Sequence, residues 1–255
     1  RLRPERVERR NAAVLSLDLN EARATCLPGQ HLPGESKSGK WHEQYGISVM
    51  GNDIKVTEEY LFPSMVWYAD IEGAEAMNAK LSEGVSELRN KVKSIKRSNE
   101  LGWHSPTNMH KRELFAPLCD CINAMAGTIA ESMGVRKDRR FVIETFWVNI
   151  SPKYAYNALH EHPQSFLSGV YYLQVDEKSG NLRFRDPRAA KRMSPWPVAE
   201  DRKADQRHWD RVNYKPKAGR LILFPSWLEH DVEATLSDQE RISISFNMGL
   251  QKVSP

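Results

Sequence analysis

The sequence has few cysteines, no long apolar run and little excess of charge, and each absence narrows what the chain can be. Its three cysteines, Cys26, Cys119 and Cys121, are too few and too unevenly spaced for a disulfide framework. On a helix, positions 119 and 121 point about 200° apart, so this pair reads as structural thiols rather than as a chelate. No stretch approaches the roughly 18 apolar residues needed to span a bilayer, and no basic segment followed by an apolar core opens the chain. A cytoplasmic protein with no membrane partner is the expectation. The formal net charge is only +4, short of what a dedicated nucleic-acid binder carries. No internal repeat is present. What remains is a chain of 255 residues with 40% hydrophobic and 27% charged residues, long enough for one domain with a sizeable core.

The order of patterns suggests an α+β fold. Residues 1–58 begin with an arginine-rich arm and carry Pro28-Gly29 and Pro33-Gly34, turn chemistry that predicts an irregular N-terminal extension. His42, next to Trp41, is a lone histidine there and reads as structural. Residues 59–255 are expected to form a single catalytic domain. A first strand is predicted over Glu58–Ile71. Apolar residues at three- and four-residue spacing then predict helices over about 74–97 and 112–133, the second stopped by Gly134. From about 141 to 250 the period becomes two, as in strands packed into a β-sandwich with the helices bracing one sheet. Residues 186–219, rich in proline and basic side chains, interrupt the strands and are expected to form a lid loop.

The chemistry concentrates in the strand region. On a strand, His160 and His162 project to one face and Glu161 to the other. His230 opens another segment of strand composition, and a sheet closed on itself could bring all three imidazoles to one face of a metal with open positions. That geometry suits non-haem iron, whose usual facial site has two histidines and a carboxylate. Here His162 stands where the carboxylate is expected, and Asp186 is the reserve ligand. Single histidines more often cap strands, but the spacing of these three argues for metal binding. Asp186 and Arg188 are candidates for the substrate pocket, or for a turn with an internal salt bridge. His208 and Trp209 lie in the lid loop, as substrate contacts or as exposed side chains.

The motifs W-x-N at Trp147–Asn149, H-x-H-P at His160–Pro163, S-G-V-Y-Y at Ser168–Tyr172, D-P-R at Asp186–Arg188, F-P-S-W-L-x-H at Phe224–His230 and R-I-S-x-S-F-N at Arg241–Asn247 resemble the 2-oxoglutarate and Fe(II)-dependent oxygenases of the small bacterial and phage type. The likeness covers about residues 140–250. It implies a double-stranded β-helix, or cupin-like jelly roll, that holds Fe(II) at His160, His162 and His230. It also implies 2-oxoglutarate as cosubstrate, O2 as oxidant, and release of succinate and CO2 as a substrate is hydroxylated. Arg241 and Ser243 match the family's R-x-S anchor for the far carboxylate, to which a guanidinium offers paired hydrogen bonds. Tyr172 shares a strand face with Ser168 and Val170 and could complete that site. Asn149 is a candidate for the metal-proximal carboxylate or for substrate. The expected partners are a small-molecule, amino-acid or peptide substrate, with a homodimer as the candidate assembly. Two other readings fit the residues: a three-histidine dioxygenase that does not use 2-oxoglutarate, and a jelly-roll binding module with a structural metal.

Overall fold

The computed structural model describes residues 42–49 and 52–253, with the side chains of residues 42–49 undescribed. The chain divides into two units, residues 1–63 and 64–255. Within the first, β1 (His42–Val49) and β2 (Asn52–Glu59) form an antiparallel hairpin, pairing His42 with Glu59 and Val49 with Asn52. This part of the N-terminal extension is therefore regular, where turn chemistry upstream had suggested irregular structure. The arm, the two proline-glycine turns and Cys26 lie outside the described residues.

The second unit is a double-stranded β-helix. Its chain order is β3 (Trp67–Asp70), α1 (Ala74–Lys91), β4 (Asn99–Glu100), β5 (Trp103–His104), α2 (Ala116–Ser132), β6 (Arg139–Ser151), β7 (Tyr156–His160), β8 (Leu167–Gln174), β9 (Leu182–Arg185), α3 (Ala189–Met193), β10 (Arg211–Tyr214), β11 (Arg220–Pro225), β12 (His230–Val232) and β13 (Arg241–Lys252). Two antiparallel sheets result, a six-stranded one ordered β3-β11-β8-β13-β6-β5 and a five-stranded one ordered β10-β9-β12-β7-β4.

Alternation along the strands of the larger sheet sorts its residues between two environments. Phe146, Val148 and Ile150 of β6, Tyr171 and Leu173 of β8, Leu221 and Leu223 of β11 and Ile244, Phe246 and Met248 of β13 are buried in one cluster with the helices. Leu81, Val85 and Leu88 of α1 and Leu118, Ile122, Ala126 and Ile129 of α2 complete that layer at helical spacing. Each Leu, Ile, Val, Phe or Met among them contributes about 1.5–3 kcal/mol of hydrophobic burial. The opposite face presents Val170, Tyr172, Ile222 and Phe224 to Leu182 and Phe184 of the smaller sheet. The sandwich interior thus has a small apolar plug. Polar residues occupy the rest of it.

Three boundaries differ from the sequence expectation. The strand predicted over Glu58–Ile71 is interrupted, because Phe62 before Pro63 takes φ 57° and only Trp67–Asp70 pairs with β11. Helix α1 stops at Lys91 rather than near residue 97: Val92 turns extended, and Ile95 donates to the His104 carbonyl instead of continuing the helix. The predicted lid, residues 186–219, contains the short helix α3 and the strand β10, which pairs with β9 through Arg211–Arg185 to Tyr214–Leu182. No helix among the described residues is long and apolar enough to cross a membrane.

Candidate metal and anion site

Strands β7 and β12 lie side by side with His160 directly opposite His230. His162 is not on the strand, as simple alternation had placed it, but in the turn that follows β7, where its backbone N–H donates to the Ser226 carbonyl. That turn still brings its ring back over the other two. Ligand atoms of the three imidazoles lie within 4.8 Å of one another, and ring centroids are separated by 4.4 Å (His160–His230), 5.0 Å (His160–His162) and 5.4 Å (His162–His230).

Two of these rings have fixed tautomers. His160 Nδ1 faces the Ala158 carbonyl at 2.7 Å and His230 Nδ1 faces the Leu228 carbonyl at 2.9 Å. Each Nδ1 therefore carries the proton, and Nε2 keeps its lone pair for an ion. His162 has no hydrogen bond to its ring. It meets Trp147 in a T-shaped contact instead, 6.2 Å between centroids, and Trp147 is itself stacked on the buried His104. Burial pushes all three imidazoles below their ordinary value, His162 to about 4 and His230 to about 3, and the neighbouring His160 ring lowers both further. Neutral imidazoles are the form that binds a metal.

The same pocket, an open space of about 500 Å³, reaches Arg241 and Ser243. Arg241 is 2% exposed and donates through one terminal nitrogen to Ser243 Oγ at 2.9 Å. Its Nε has no partner, and no carboxylate among the described residues pairs with it. Its guanidinium carbon sits 5.2 Å from the centroid of the Tyr172 ring, whose buried hydroxyl is also without a partner. Burial lowers Arg241 and raises Tyr172 from their usual values, so the guanidinium is a desolvated cation facing a neutral phenol. Asn149, on β6 opposite Ser243, donates to Ser245 Oγ at 3.1 Å and leaves a third orphaned atom, its Oδ1. A buried cation with unsatisfied polar neighbours is costly without an anion. Three imidazoles for a metal and one unpaired arginine for a carboxylate are a donor set that fits Fe(II) with a chelating dicarboxylate.

Asp186 and Arg188 do not line this pocket. They form the turn with an internal salt bridge: Arg188 donates to both Asp186 oxygens at 3.0 and 2.9 Å, and Lys191 adds a third bond at 3.0 Å. Burial opposes ionisation of Asp186, yet these bonds hold its carboxyl well below the usual carboxylate range. His208 pairs with Asp205, and Trp209 is exposed. Cys119 is half-buried, with its thiol pushed up to about 11 by burial and by Asp120, and Cys121 is likewise a free thiol. The pocket also takes in residues to which the sequence reading gave no role, among them Ser98, Asn157, and the Ser245 and Asn247 of the R-I-S-x-S-F-N motif. Two of these, Ser245 and Asn247, lie on the Arg241–Ser243 face of β13, and period-two counting from Arg241 would have found them.

Residues 145–247 match the family model described as "Putative 2OG-Fe(II) oxygenase". The strands that build the core and the site thus carry the family pattern that the motifs resemble. No curated protein matches the chain in sequence. Among solved structures, it is similar to a Pseudomonas putida prolyl-4-hydroxylase, at 15% identity over 75% of this chain and 94% of that one with a TM-score of 0.51. It is similar also to the non-haem α-ketoglutarate-dependent carbocyclase SnoK from nogalamycin biosynthesis, at 14% identity over 74% of this chain and 82% of that one with a TM-score of 0.54. At such identities the likeness establishes the double-stranded β-helix fold.

Proposed function

We propose that this chain is a mononuclear Fe(II)- and 2-oxoglutarate-dependent dioxygenase that uses O2 to hydroxylate a small molecule, an amino acid or a peptide side chain. The observation that carries the reading is Arg241, a cation 2% exposed and unpaired, in the same pocket as three neutral imidazoles. A structural metal alone would give no reason to bury it. His160, His162 and His230 would hold the iron, and their three neutral nitrogens leave its full positive charge available to an anionic chelate. When bound, iron and 2-oxoglutarate together supply the oxidation, with succinate and CO2 released.

The remaining work belongs to the protein. Arg241 offers its fork to the far carboxylate, and Ser243 holds that fork in place by accepting from it. The Tyr172 hydroxyl, lacking any other partner, can donate to the same carboxylate. Val170, Phe224 and Leu182 shield the space between the two ends from water. Asn149 uses one of its two N–H donors on Ser245 and keeps the second, together with its unpartnered Oδ1. It can therefore donate to the metal-proximal carboxylate or accept from a donor on the substrate.

The test is an anaerobic titration of metal-free protein with Fe(II) and then 2-oxoglutarate, following the visible metal-to-ligand charge-transfer band, with His162→Ala in parallel. The band is expected in the wild type and lost or shifted in the variant. Iron binding with no band would replace this reading by a three-histidine dioxygenase that does not use 2-oxoglutarate.

A further inference from the structure

The three imidazoles are not held alike. A backbone carbonyl accepts from Nδ1 of His160 and another from Nδ1 of His230, whereas no group among the described residues bonds to the His162 ring. The turn ties only the backbone of His162, its N–H to the Ser226 carbonyl at 2.9 Å and its carbonyl to the Ser165 N–H at 3.1 Å. Its ring therefore has two freedoms that the others lack. It can turn about its own side-chain torsions, and it can present either nitrogen to an ion. The aromatic ring against it is the Trp147 indole, in a T-shaped arrangement at 6.2 Å between centroids.

Trp147 is itself firmly placed. On β6 it lies between Phe146 and Val148, which face the helices, so it projects to the interior of the sandwich. Strand β5 pairs with β6 so that His104 is opposite Asn149 and diagonal to Trp147, a spacing that aromatic rings reach across. The two rings stack at 5.5 Å with 11° between their planes. His104 is 3% exposed and is fixed by three hydrogen bonds: its Nδ1 donates to the Ser105 carbonyl at 2.5 Å, its N–H donates to Ser94 Oγ at 3.1 Å, and its carbonyl accepts from Ile95 at 2.9 Å. Gly102 lets this segment come close to β6, since a Cβ there would stand 3.0 Å from the Ile150 carbonyl oxygen. A strand of two residues thus sets one buried, immobilised ring against Trp147.

We infer that Trp147 is the positioning residue of His162: its indole, braced by His104, limits that ring as the Ala158 and Leu228 carbonyls limit His160 and His230. The inference rests on the metal site of the function proposed above, and its test reads metal affinity instead of turnover. Co(II) is the probe, titrated into metal-free protein and followed by visible absorption, with thermal melts to verify that each variant folds. Trp147→Leu should lower Co(II) affinity about three- to tenfold, the range that an aromatic pair of this geometry contributes. In a His162→Asp background a ligand remains but no ring meets the indole, so the same substitution should change affinity by less than about twofold. A tryptophan that only supports the fold would cost the same in both backgrounds. His104→Leu removes the brace and should act in the same direction by about two- to threefold, again only with His162 present; it serves if Trp147→Leu does not fold. No loss beside His162, an equal or larger loss in the His162→Asp background, or a wild type that binds no Co(II) would overturn the inference. Coupling of Trp147 to His162 in a protein that shows no charge-transfer band with Fe(II) and 2-oxoglutarate would uphold it and count against the oxygenase reading; the band without the coupling would do the reverse.

Discussion

The two ends of the pocket are built on opposite principles. At the imidazole end His160 and His230 are each anchored by a carbonyl two residues back, and the rings are held neutral by burial. At the arginine end a buried cation, a phenol and an amide carry unpartnered atoms. One end is prepared for a ligand by being satisfied, and the other by being left unsatisfied. The contrast teaches where stability and function part: the first arrangement costs little when empty, whereas the second leaves a buried charge whose cost a bound anion would offset.

The largest effect is expected from breaking the unsatisfied end. Arg241→Met should weaken 2-oxoglutarate binding by two to three orders of magnitude, about 3–5 kcal/mol for a buried charge pair, while iron still binds. The same change should leave the ligand-free protein as stable or more stable by about 1–4 kcal/mol, because a desolvated charge is gone. Charge-transfer titrations and thermal melts read the two halves of this prediction, and a destabilised variant with intact cosubstrate affinity would contradict both.

At the satisfied end, His230→Ala should lower iron affinity more than about 100-fold, beyond the usual cost of losing a supporting group. His162→Asp should retain iron within about tenfold, since a carboxylate there restores the commoner facial set. Metal titration by calorimetry separates the two, and equal losses would show that the turn after β7 tolerates only imidazole.

A smaller and graded effect comes from pH. The imidazole pKa values lie below those of exposed histidine, so the unfolded chain takes up protons before the native state does. Stability of the metal-free protein is therefore full above about pH 6.5 and should fall as pH drops toward about 4 and then 3. Bound iron should flatten that slope, and melting temperatures between pH 7 and 5 with and without metal measure it. The smallest effect is expected outside both ends: Arg89→Ala, which removes an exposed ion pair with Glu240, should change stability by less than about 1 kcal/mol and leave iron and 2-oxoglutarate binding unchanged.

How much of this was legible in the sequence depends on the distance over which a residue acts. His160, His162, His230, Arg241 and Ser243 could be gathered from strand alternation and from motif resemblance, and the structure lines them around one pocket. Which partner each polar residue meets could not be gathered so: that Asn149 donates to Ser245 depends on β6 lying beside β13. The end of α1 was misplaced for a related reason. Val92 and Ile95 keep helical spacing, yet the segment turns extended, with hydrogen bonds from the Trp103 indole to Val92 and from Ile95 to His104. Asp186 looked like a reserve ligand by chemistry alone, and only the placement of Arg188 and Lys191 shows what its carboxylate binds.

The pairing of His160 with His230 has a mechanical side. These residues lie at neighbouring positions on adjacent strands but at the two ends of a loop of about 70 residues, so an ion shared between them would act as a removable cross-link, with a chain-entropy value of roughly 4 kcal/mol if it behaved as a disulfide of that span does. That loop contains β8, β9, α3, β10 and β11. Loading with metal would then tighten much of the jelly roll at once, and slowed amide hydrogen exchange should extend well beyond the residues that touch the ion.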